Sequence, residues 1–408
     1  MVQVTTYRQL FAVPEFRVLF LVQCLNIGSY AVASLALGTI TFTATGSPVL
    51  TALAMFGAPL MRIVGQVLFG SGSDLVRPRT ALVLVAATTM VTDLLQALPG
   101  LAWGWRFVLL AVGPLVTSAL GGSMIALVSD ILPPDGFILG RATMNIAVGG
   151  MQIVGYGIGG LLLITFTTTQ LFLGAAAALL VAVLLLRLGL CDHPPRHTGE
   201  SVVKRTREVN RALLGSRVTR PIYLTLWVPN GLIVGCEALF VPFAGARAGY
   251  LFAVTAAGML LGDVVVGRFL AVPVRDRLIT PLRLLLAVPY LAFFLVPSLP
   301  YAAALAFVAS VGYSSGLPLQ ERLVTHTDGK ARGQVFGLQG TGLMAGQAVG
   351  ALIGGTVASG LGVGPAAAAQ AMGVMAVGSV LVSLALTPGL RRSRPGAEVR
   401  EAATAAAR

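Results

Sequence analysis

The chain has 408 residues, of which 56% are hydrophobic and only 11% are charged. Soluble globular proteins carry roughly 25% charged residues, so this composition excludes an ordinary soluble domain and predicts an integral membrane protein. The net charge of +13 would also suit a nucleic-acid-binding protein. We exclude that interpretation because the basic residues are distributed by membrane side, as described below.

Apolar segments long enough to cross about 30 Å of hydrocarbon recur along the chain and predict twelve transmembrane helices. Helices 1–6 lie at about 17–42, 49–70, 80–98, 106–132, 137–164 and 168–190, and helices 7–12 at about 219–243, 250–270, 281–296, 301–323, 334–359 and 364–386. The predicted fold class is therefore an all-α integral membrane protein with two pseudo-symmetric six-helix bundles. The expected divisions are an N-terminal bundle at 1–190, a polar linker at 191–218, a C-terminal bundle at 219–388 and a basic tail at 389–408.

The basic residues predict the orientation of these helices. Lys and Arg residues lie at the termini and beside the loops that follow even-numbered helices, with the exception of Arg62, Arg106 and Arg247. Positively charged loops stay in the cytoplasm. We therefore expect a multi-pass plasma-membrane protein with both termini in the cytoplasm.

A nine-residue motif occurs in both halves and indicates a duplicated six-helix unit. Gln152–Gly160 in helix 5 reads Q-I-V-G-Y-G-I-G-G, and Gln347–Gly355 in helix 11 reads Q-A-V-G-A-L-I-G-G. Small residues at every fourth position let two helices approach closely in lipid. Close packing is one explanation of these glycines and a hinge between the halves is another, for Gly155, Gly159, Gly160, Gly350, Gly354 and Gly355. Gln152 and Gln347 are expected to hydrogen-bond to a facing helix or to a cargo.

Four charged residues lie inside predicted helices, where a charge costs about 2.5–3.5 kcal/mol. They are Glu237 in helix 7, Asp263 in helix 8, Asp93 in helix 3 and Arg62 in helix 2. Glu237 is the strongest functional candidate, because Pro229 and Pro242 break its helix and no Lys or Arg lies within a turn of it. It is suited to load and release a proton, or to bind cargo, and a structural hydrogen bond is the alternative.

The other three charges have structural alternatives of their own. Asp263 has a plausible partner in Arg141, at the start of helix 5. Arg62 is expected to pair with Asp93 or to bind an anionic group. Cys24, Cys191 and Cys236 are isolated and the three histidines lie in polar loops, so neither a metal site nor a cofactor is expected.

The loop after helix 2 resembles the best-known motif of the major facilitator superfamily, G-x-L-A-D-R-x-G-x-R/K-R/K. Over Gly70–Arg79 it reads G-S-G-S-D-L-V-R-P-R, and the resemblance in helix number, halves and termini covers essentially the whole chain. The resemblance implies the major facilitator fold. It also implies a cytoplasmic gate formed by Gly70, Asp74 and Arg79, which Asp130 at the end of helix 4 would join.

Two further stretches resemble the drug and macrolide exporters of that family. Helix 5 carries G-Y-G-I-G-G, which is similar to the antiporter motif G-x-x-x-G-P-x-x-G-G without its proline, and T-G-S-P-V-L precedes helix 2. These features imply efflux. In the family, helices 1, 4, 7 and 10 line the central cavity, which implies that Asn26, Asn230, Glu237 and Tyr313 surround the cargo.

The favoured function is secondary active transport, with a monomer exporting small amphipathic molecules in exchange for protons by alternating access. Import or uniport of a small metabolite on the same fold is the alternative. A membrane enzyme or a lipid-handling protein is a third hypothesis, disfavoured because no nucleotide-binding loop, intramembrane His or paired carboxylates are found. We therefore expect no enzymatic activity.

Overall fold

The computed structural model describes residues 6–69, 76–120, 123–193, 201–326 and 332–393. Within these ranges all regular elements are helices. Among the described residues, nine continuous helical runs are long and apolar enough to cross a membrane, or ten if the bent pair Pro48–Phe56 and Ala58–Gly65 forms one span. Each of the twelve predicted helices corresponds to one helix or to consecutive helical segments. The prediction of an all-helical membrane protein is confirmed.

Contacts divide the chain into two compact units. Unit 1 comprises Met1–Gly46, Leu53–Gly199 and Ala246–Ala253. The first nine helices in chain order are α1 (Tyr7–Leu10), α2 (Pro14–Thr45), α3 (Pro48–Phe56), α4 (Ala58–Phe69), α5 (Pro78–Gln96), α6 (Trp103–Leu120), α7 (Ser123–Ile131), α8 (Pro134–Thr165) and α9 (Thr168–Gly189). The core of unit 1 packs α2, α5, α7 and α9 around residues such as Phe16, Leu19, Leu127 and Leu186.

Unit 2 comprises Ser47–Ala52, Glu200–Gly245 and Val254–Arg408. The remaining helices are α10 (Ser201–Gly215), α11 (Thr219–Glu237), α12 (Phe240–Ala244), α13 (Ala248–Val264), α14 (Val272–Leu291), α15 (Leu299–Val311), α16 (Gly316–Thr325), α17 (Arg332–Leu361) and α18 (Pro365–Arg392). A π-helical segment, Val265–Phe269, continues α13, and a 3₁₀ segment, Gly312–Ser315, joins α15 to α16. Ile222, Tyr223, Leu319 and Leu323 belong to one buried cluster of this unit.

Predicted helix 2 is not one straight helix. It consists of α3 and α4, which are bent by 58° relative to each other. Gly57 and Pro59 explain the bend, because proline has no backbone N–H to continue the helix and its ring collides with the carbonyl of the preceding turn.

The predicted start of helix 9 is wrong. We expected it near Pro281, but α14 begins at Val272 and contains both Pro281 and Pro289. The earlier start moves Arg283 from the flank of a helix into its interior, where the residue is 1% exposed. Arg275, Asp276 and Arg277, just after the first residues of α14, have the composition of a loop.

The two copies of the glycine motif pack in equivalent ways, each within its own unit. In unit 1, a Cβ added at Gly155 would lie 2.8 Å from Cβ of Ala31, and one at Gly159 would lie 2.9 Å from Cδ1 of Leu35, so α8 packs closely on α2. In unit 2, Gly350 and Gly354 of α17 face Gly231 and Gly235 of α11. There the neighbours are backbone atoms, and a Cβ at Gly354 would lie 2.6 Å from the Gly235 carbonyl oxygen.

The last glycine of each copy contacts the start of another helix. A Cβ added at Gly160 would lie 2.6 Å from the carbonyl oxygen of Gly249, near the start of α13 and within unit 1. One added at Gly355 would lie 2.8 Å from Cα of Val49, near the start of α3 and within unit 2. Corresponding glycines of the two copies therefore meet corresponding neighbours.

Candidate functional site

Glu237 is the last residue of α11 and is buried, with 8% of its surface exposed. The hydroxyl of Tyr313 donates a hydrogen bond to the Oε1 atom of Glu237 at 2.9 Å. Tyr313 lies in the 3₁₀ segment between α15 and α16, so two interrupted helices of unit 2 supply this pair.

Tyr290 and Cys236 complete the surroundings of this carboxylate. Tyr290 of α14 is fully buried, lies close enough to Glu237 to interact electrostatically, and its hydroxyl has no hydrogen-bond partner among the described residues. The Cys236 thiol contacts the carbonyl oxygen of Met372 at 3.5 Å. In the part of the chain that the structure describes, Glu237 forms no ion pair with Lys or Arg.

Pro242 of α12 explains the helix break beside Glu237, because it has no N–H to donate to the carbonyl of Ala238 four residues earlier. Pro229 lies inside α11, where its ring removes one backbone hydrogen bond. The Pro229 carbonyl oxygen accepts a hydrogen bond from the Ser379 hydroxyl at 3.3 Å. After Glu237 the chain turns through Ala238 and Leu239 into the short helix α12. The Glu237 side chain is thereby held at a discontinuity of the backbone.

The structure brings Asn230 and Gln347 together. The Gln347 amide donates to Oδ1 of Asn230 at 3.2 Å, which joins α11 to α17 one turn from the glycine contacts. The corresponding residues of the first half, Asn26 in α2 and Gln152 in α8, are both half-buried. Gln347 therefore does hydrogen-bond to a facing helix, and its role toward a cargo stays a prediction.

Arg62 and Asp93 in unit 1 do not form an ion pair. The guanidinium of Arg62 lies 5.9 Å from the centre of the Tyr30 ring, a distance at which cation–π attraction operates. The Tyr30 hydroxyl donates to the carbonyl oxygen of Met55 at 3.3 Å. Asp93 is 7% exposed, and neither its Oδ2 atom nor the Nε atom of Arg62 has a partner among the described residues. Of the two alternatives for Arg62, anion binding remains as a prediction.

Asp263 and Arg141 are each half-buried, in α13 and α8. Asp263 belongs to unit 2 and Arg141 to unit 1. Their predicted pairing stays a prediction.

The predicted gate motif is only partly described. Gly70 and Asp74 lie outside the described residues. Arg79 donates a hydrogen bond to the carbonyl oxygen of Arg187 at the end of α9, and Asp130 is exposed near the end of α7. A neighbouring residue, Arg77, forms an exposed ion pair with Asp192.

Two charge clusters of unit 2 were missed by the sequence analysis. Arg322 of α16 bonds Asp276 of α14 at 2.6 Å, and Arg275 bonds Glu321 at 2.6 Å. Buried Arg283 lies two turns further along α14. Asp276, Arg283 and Tyr290 are seven residues apart and therefore lie on one face of α14. This polar face could have been predicted from the sequence if the helix had been recognised to begin at Val272.

The chain resembles known transporters along nearly its whole length. A POT family transporter solved in complex with 5-aminolevulinic acid matches it over 97% of this chain and 99% of that one, with a TM-score of 0.68 and 13% sequence identity. A match of that extent means that the two chains share one fold. The chain has the major facilitator fold.

Two further structures with the major facilitator fold give similar values. A bacterial homologue of the human lysosomal transporter Spinster, in an inward-facing occupied conformation, matches with a TM-score of 0.62 and 15% identity over 93% of this chain and 96% of that one. A mutant of the nucleoside transporter NupG matches with a TM-score of 0.64 and 12% identity over 92% of this chain and 98% of that one. The chain matches no protein-family model and no curated protein.

Proposed function

We propose that the chain is a secondary active transporter that exports small amphipathic molecules in exchange for protons by alternating access. The observation that carries this proposal is the buried Glu237 carboxylate, which has one hydrogen bond, from Tyr313, and no cation beside it among the described residues. Ionisable groups inside a membrane are costly and mark proton or substrate pathways. Protons are the proposed coupling ion, and the working form is a monomer in the plasma membrane.

Efflux is favoured by the exporter-like motifs of helices 2 and 5. Import or uniport of a small metabolite is the second candidate, favoured by the similarity to a POT family transporter and to a nucleoside transporter. Fold alone does not separate these functions.

The proposal is tested by measuring proton movement across the membrane of liposomes that contain the purified protein. Liposomes with a pH-sensitive dye inside would receive hydrophobic cationic, neutral and anionic compounds in turn, and peptides and nucleosides for comparison. We expect a hydrophobic compound to drive proton movement in the opposite direction. Proton movement in the same direction as a peptide or nucleoside would overturn the export proposal in favour of import, and no proton movement with any compound would overturn proton coupling.

Removal of the Tyr313 hydroxyl should slow proton-coupled transport without unfolding the protein. Hydrogen bonds to charged groups contribute about 1.5–3 kcal/mol, so Tyr313→Phe is expected to reduce the proton-coupled rate about tenfold or more. Tyr301→Phe is a suitable control because Tyr301 is 71% exposed. Equal rates in the wild type and in Tyr313→Phe would show that the hydrogen bond is not needed for coupling.

Labelling of Cys191 from either side of the membrane tests the proposed orientation. It is exposed just after α9, whereas Cys24 is half-buried and Cys236 is buried. A membrane-impermeant maleimide is expected to label Cys191 in inside-out vesicles and not in intact cells, with Cys191→Ser as the control. Labelling from outside intact cells would contradict a cytoplasmic linker.

The labelling rate should also depend on pH and on Glu15. The backbone N–H of Cys191 donates to the Glu15 carboxylate at 2.8 Å, and the negative charge of that carboxylate raises the pKa of the Cys191 thiol. The thiolate is the reactive form. Labelling is therefore expected to become faster as the pH rises, and Glu15→Gln should accelerate it at a fixed pH near 8.

A further inference from the structure

A cavity of about 200 Å³ lies at one end of unit 2, between α14, α16 and α18. Its polar lining consists of Asp276, Arg277, Thr280, Arg322, Thr387 and Arg391. Three of these residues are arginines, and the single carboxylate, Asp276, is already bonded to Arg322 at 2.6 Å. The lining therefore has a net positive charge.

Buried Arg283 adds a fourth cation directly behind this lining. Its Nη2 atom donates to the carbonyl oxygen of Ser383 at 2.8 Å, and the Thr387 hydroxyl donates to the same oxygen at 2.8 Å. Because both donors touch one oxygen, the guanidinium lies within two hydrogen-bond lengths of a hydroxyl that lines the cavity. Arg283 is 1% exposed, and its Nε and Nη1 atoms have no partner among the described residues.

A buried guanidinium without a carboxylate is costly unless an anion compensates its charge. Asp276, the one carboxylate of the lining, is bonded to Arg322. Arginine forms charge-assisted hydrogen bonds with phosphate oxygens in a fork geometry, which makes several converging arginines a suitable phosphate site. The position of the cavity relative to the membrane indicates whether this phosphate belongs to a lipid headgroup or is free in solution.

An exposed apolar stripe of α18 leads to this cavity. Val374, Val377, Leu381 and Leu384 are 39–60% exposed and recur every three or four residues, so they lie on one face of the helix. The same periodicity continues to Arg391, which lines the cavity. In a membrane such a face lies against acyl chains, and the end of the stripe lies at the level of the headgroups.

We propose that this cavity binds the phosphate group of an anionic phospholipid, with its acyl chains along the exposed face of α18. Arg277 and Arg391 would contact the phosphate from the rim, and Thr280 would donate a hydrogen bond from the wall. Arg283 would supply positive potential from behind the wall. The lipid would come from the leaflet on the side to which both termini are assigned above, where anionic headgroups attract basic residues.

Native mass spectrometry of the purified full-length protein, titrated with phosphatidylglycerol or phosphatidylcholine, tests this proposal. We expect phosphatidylglycerol to bind more tightly, since the choline cation is repelled by the arginines. Each basic residue near anionic lipid contributes roughly 1 kcal/mol, so Arg277→Gln with Arg391→Gln should weaken phosphatidylglycerol binding about thirtyfold. Both residues are exposed, so this double variant avoids the unfolding that a change at Arg283 would risk.

The matched control is Arg217→Gln with Arg220→Gln, which removes the same charge at exposed positions beside and within the start of α11. Equal weakening in both double variants, or none in either, would overturn the proposal. A further arm adds inorganic phosphate in large excess over the lipid. Displacement of phosphatidylglycerol by phosphate alone would identify free phosphate as the ligand and overturn the lipid as its source.

Discussion

Glutamine in place of Glu237 is expected to abolish proton-driven transport while cargo exchange continues. Glutamine has nearly the same size as glutamate, and its amide oxygen can still accept the hydrogen bond from Tyr313 that the carboxylate accepts at 2.9 Å. It cannot gain or lose a proton at neutral pH. The variant therefore removes the titratable group from this buried site and keeps its packing.

Two assays on liposomes that contain the variant separate coupling from binding. Accumulation driven by a pH gradient is expected to fall to the level of protein-free liposomes, because no proton is carried. Counterflow of labelled against unlabelled cargo without a gradient is expected to stay within about twofold of the wild type, since exchange requires no net proton movement. Glu208→Gln, at an exposed position of α10, is the matched control and should change neither assay.

The other outcomes of this experiment are equally informative. Normal gradient-driven accumulation in Glu237→Gln would show that Glu237 is structural, and Asp263 and Asp93 would become the next candidates. Loss of both assays in a protein that elutes as a single species from a sizing column would show that Glu237 contacts the cargo itself. The proposed role in proton coupling requires that the two assays respond differently.

Sequence periodicity predicted most of the fold because membrane-spanning helices are long, apolar and bounded by charges. The all-helical membrane fold, and the place of Glu237 between Pro229 and Pro242, follow from these local features. The partners of Glu237 do not, because Tyr313 and Tyr290 are far away in the chain and meet it only through tertiary packing. No local pattern distinguishes these tyrosines from the others.

Arg283 shows where local reasoning failed. Arg275, Asp276 and Arg277 gave the beginning of α14 the composition of a loop, and Pro281 resembled a helix start. In the structure Asp276 and Arg275 are paired with residues of α16, which makes charges near the start of α14 compatible with packing. These charges are neutralised by partners from another helix, and a single sequence does not reveal those partners.

Alanine at Gly350 is expected to disrupt the packing of α17 on α11, with a larger effect than alanine at Gly155. A Cβ at Gly350 would overlap the backbone carbonyl of Gly231, and helix backbones cannot move apart without loss of the neighbouring contacts at Gly235 and Gly354. At Gly155 the nearest atom is the Cβ of Ala31, at 2.8 Å, so the overlap there is smaller than the overlap with the Gly231 carbonyl at Gly350. The two copies of the duplicated motif are therefore expected to tolerate alanine unequally.

Thermal unfolding in detergent provides the measurement. Overpacking of a dense core costs about 1–3 kcal/mol or more, and we expect Gly350→Ala to lower the unfolding midpoint by about 5 °C or more. Gly340→Ala is the matched control in the same helix, because a Cβ at Gly340 would meet no atom within 4 Å. Alanine is the better helix former, so this control should leave the midpoint unchanged or raise it. Equal unfolding midpoints for Gly350→Ala and Gly340→Ala would contradict this prediction. They would show that α11 and α17 can move apart without cost, and that their close contact does not stabilise unit 2.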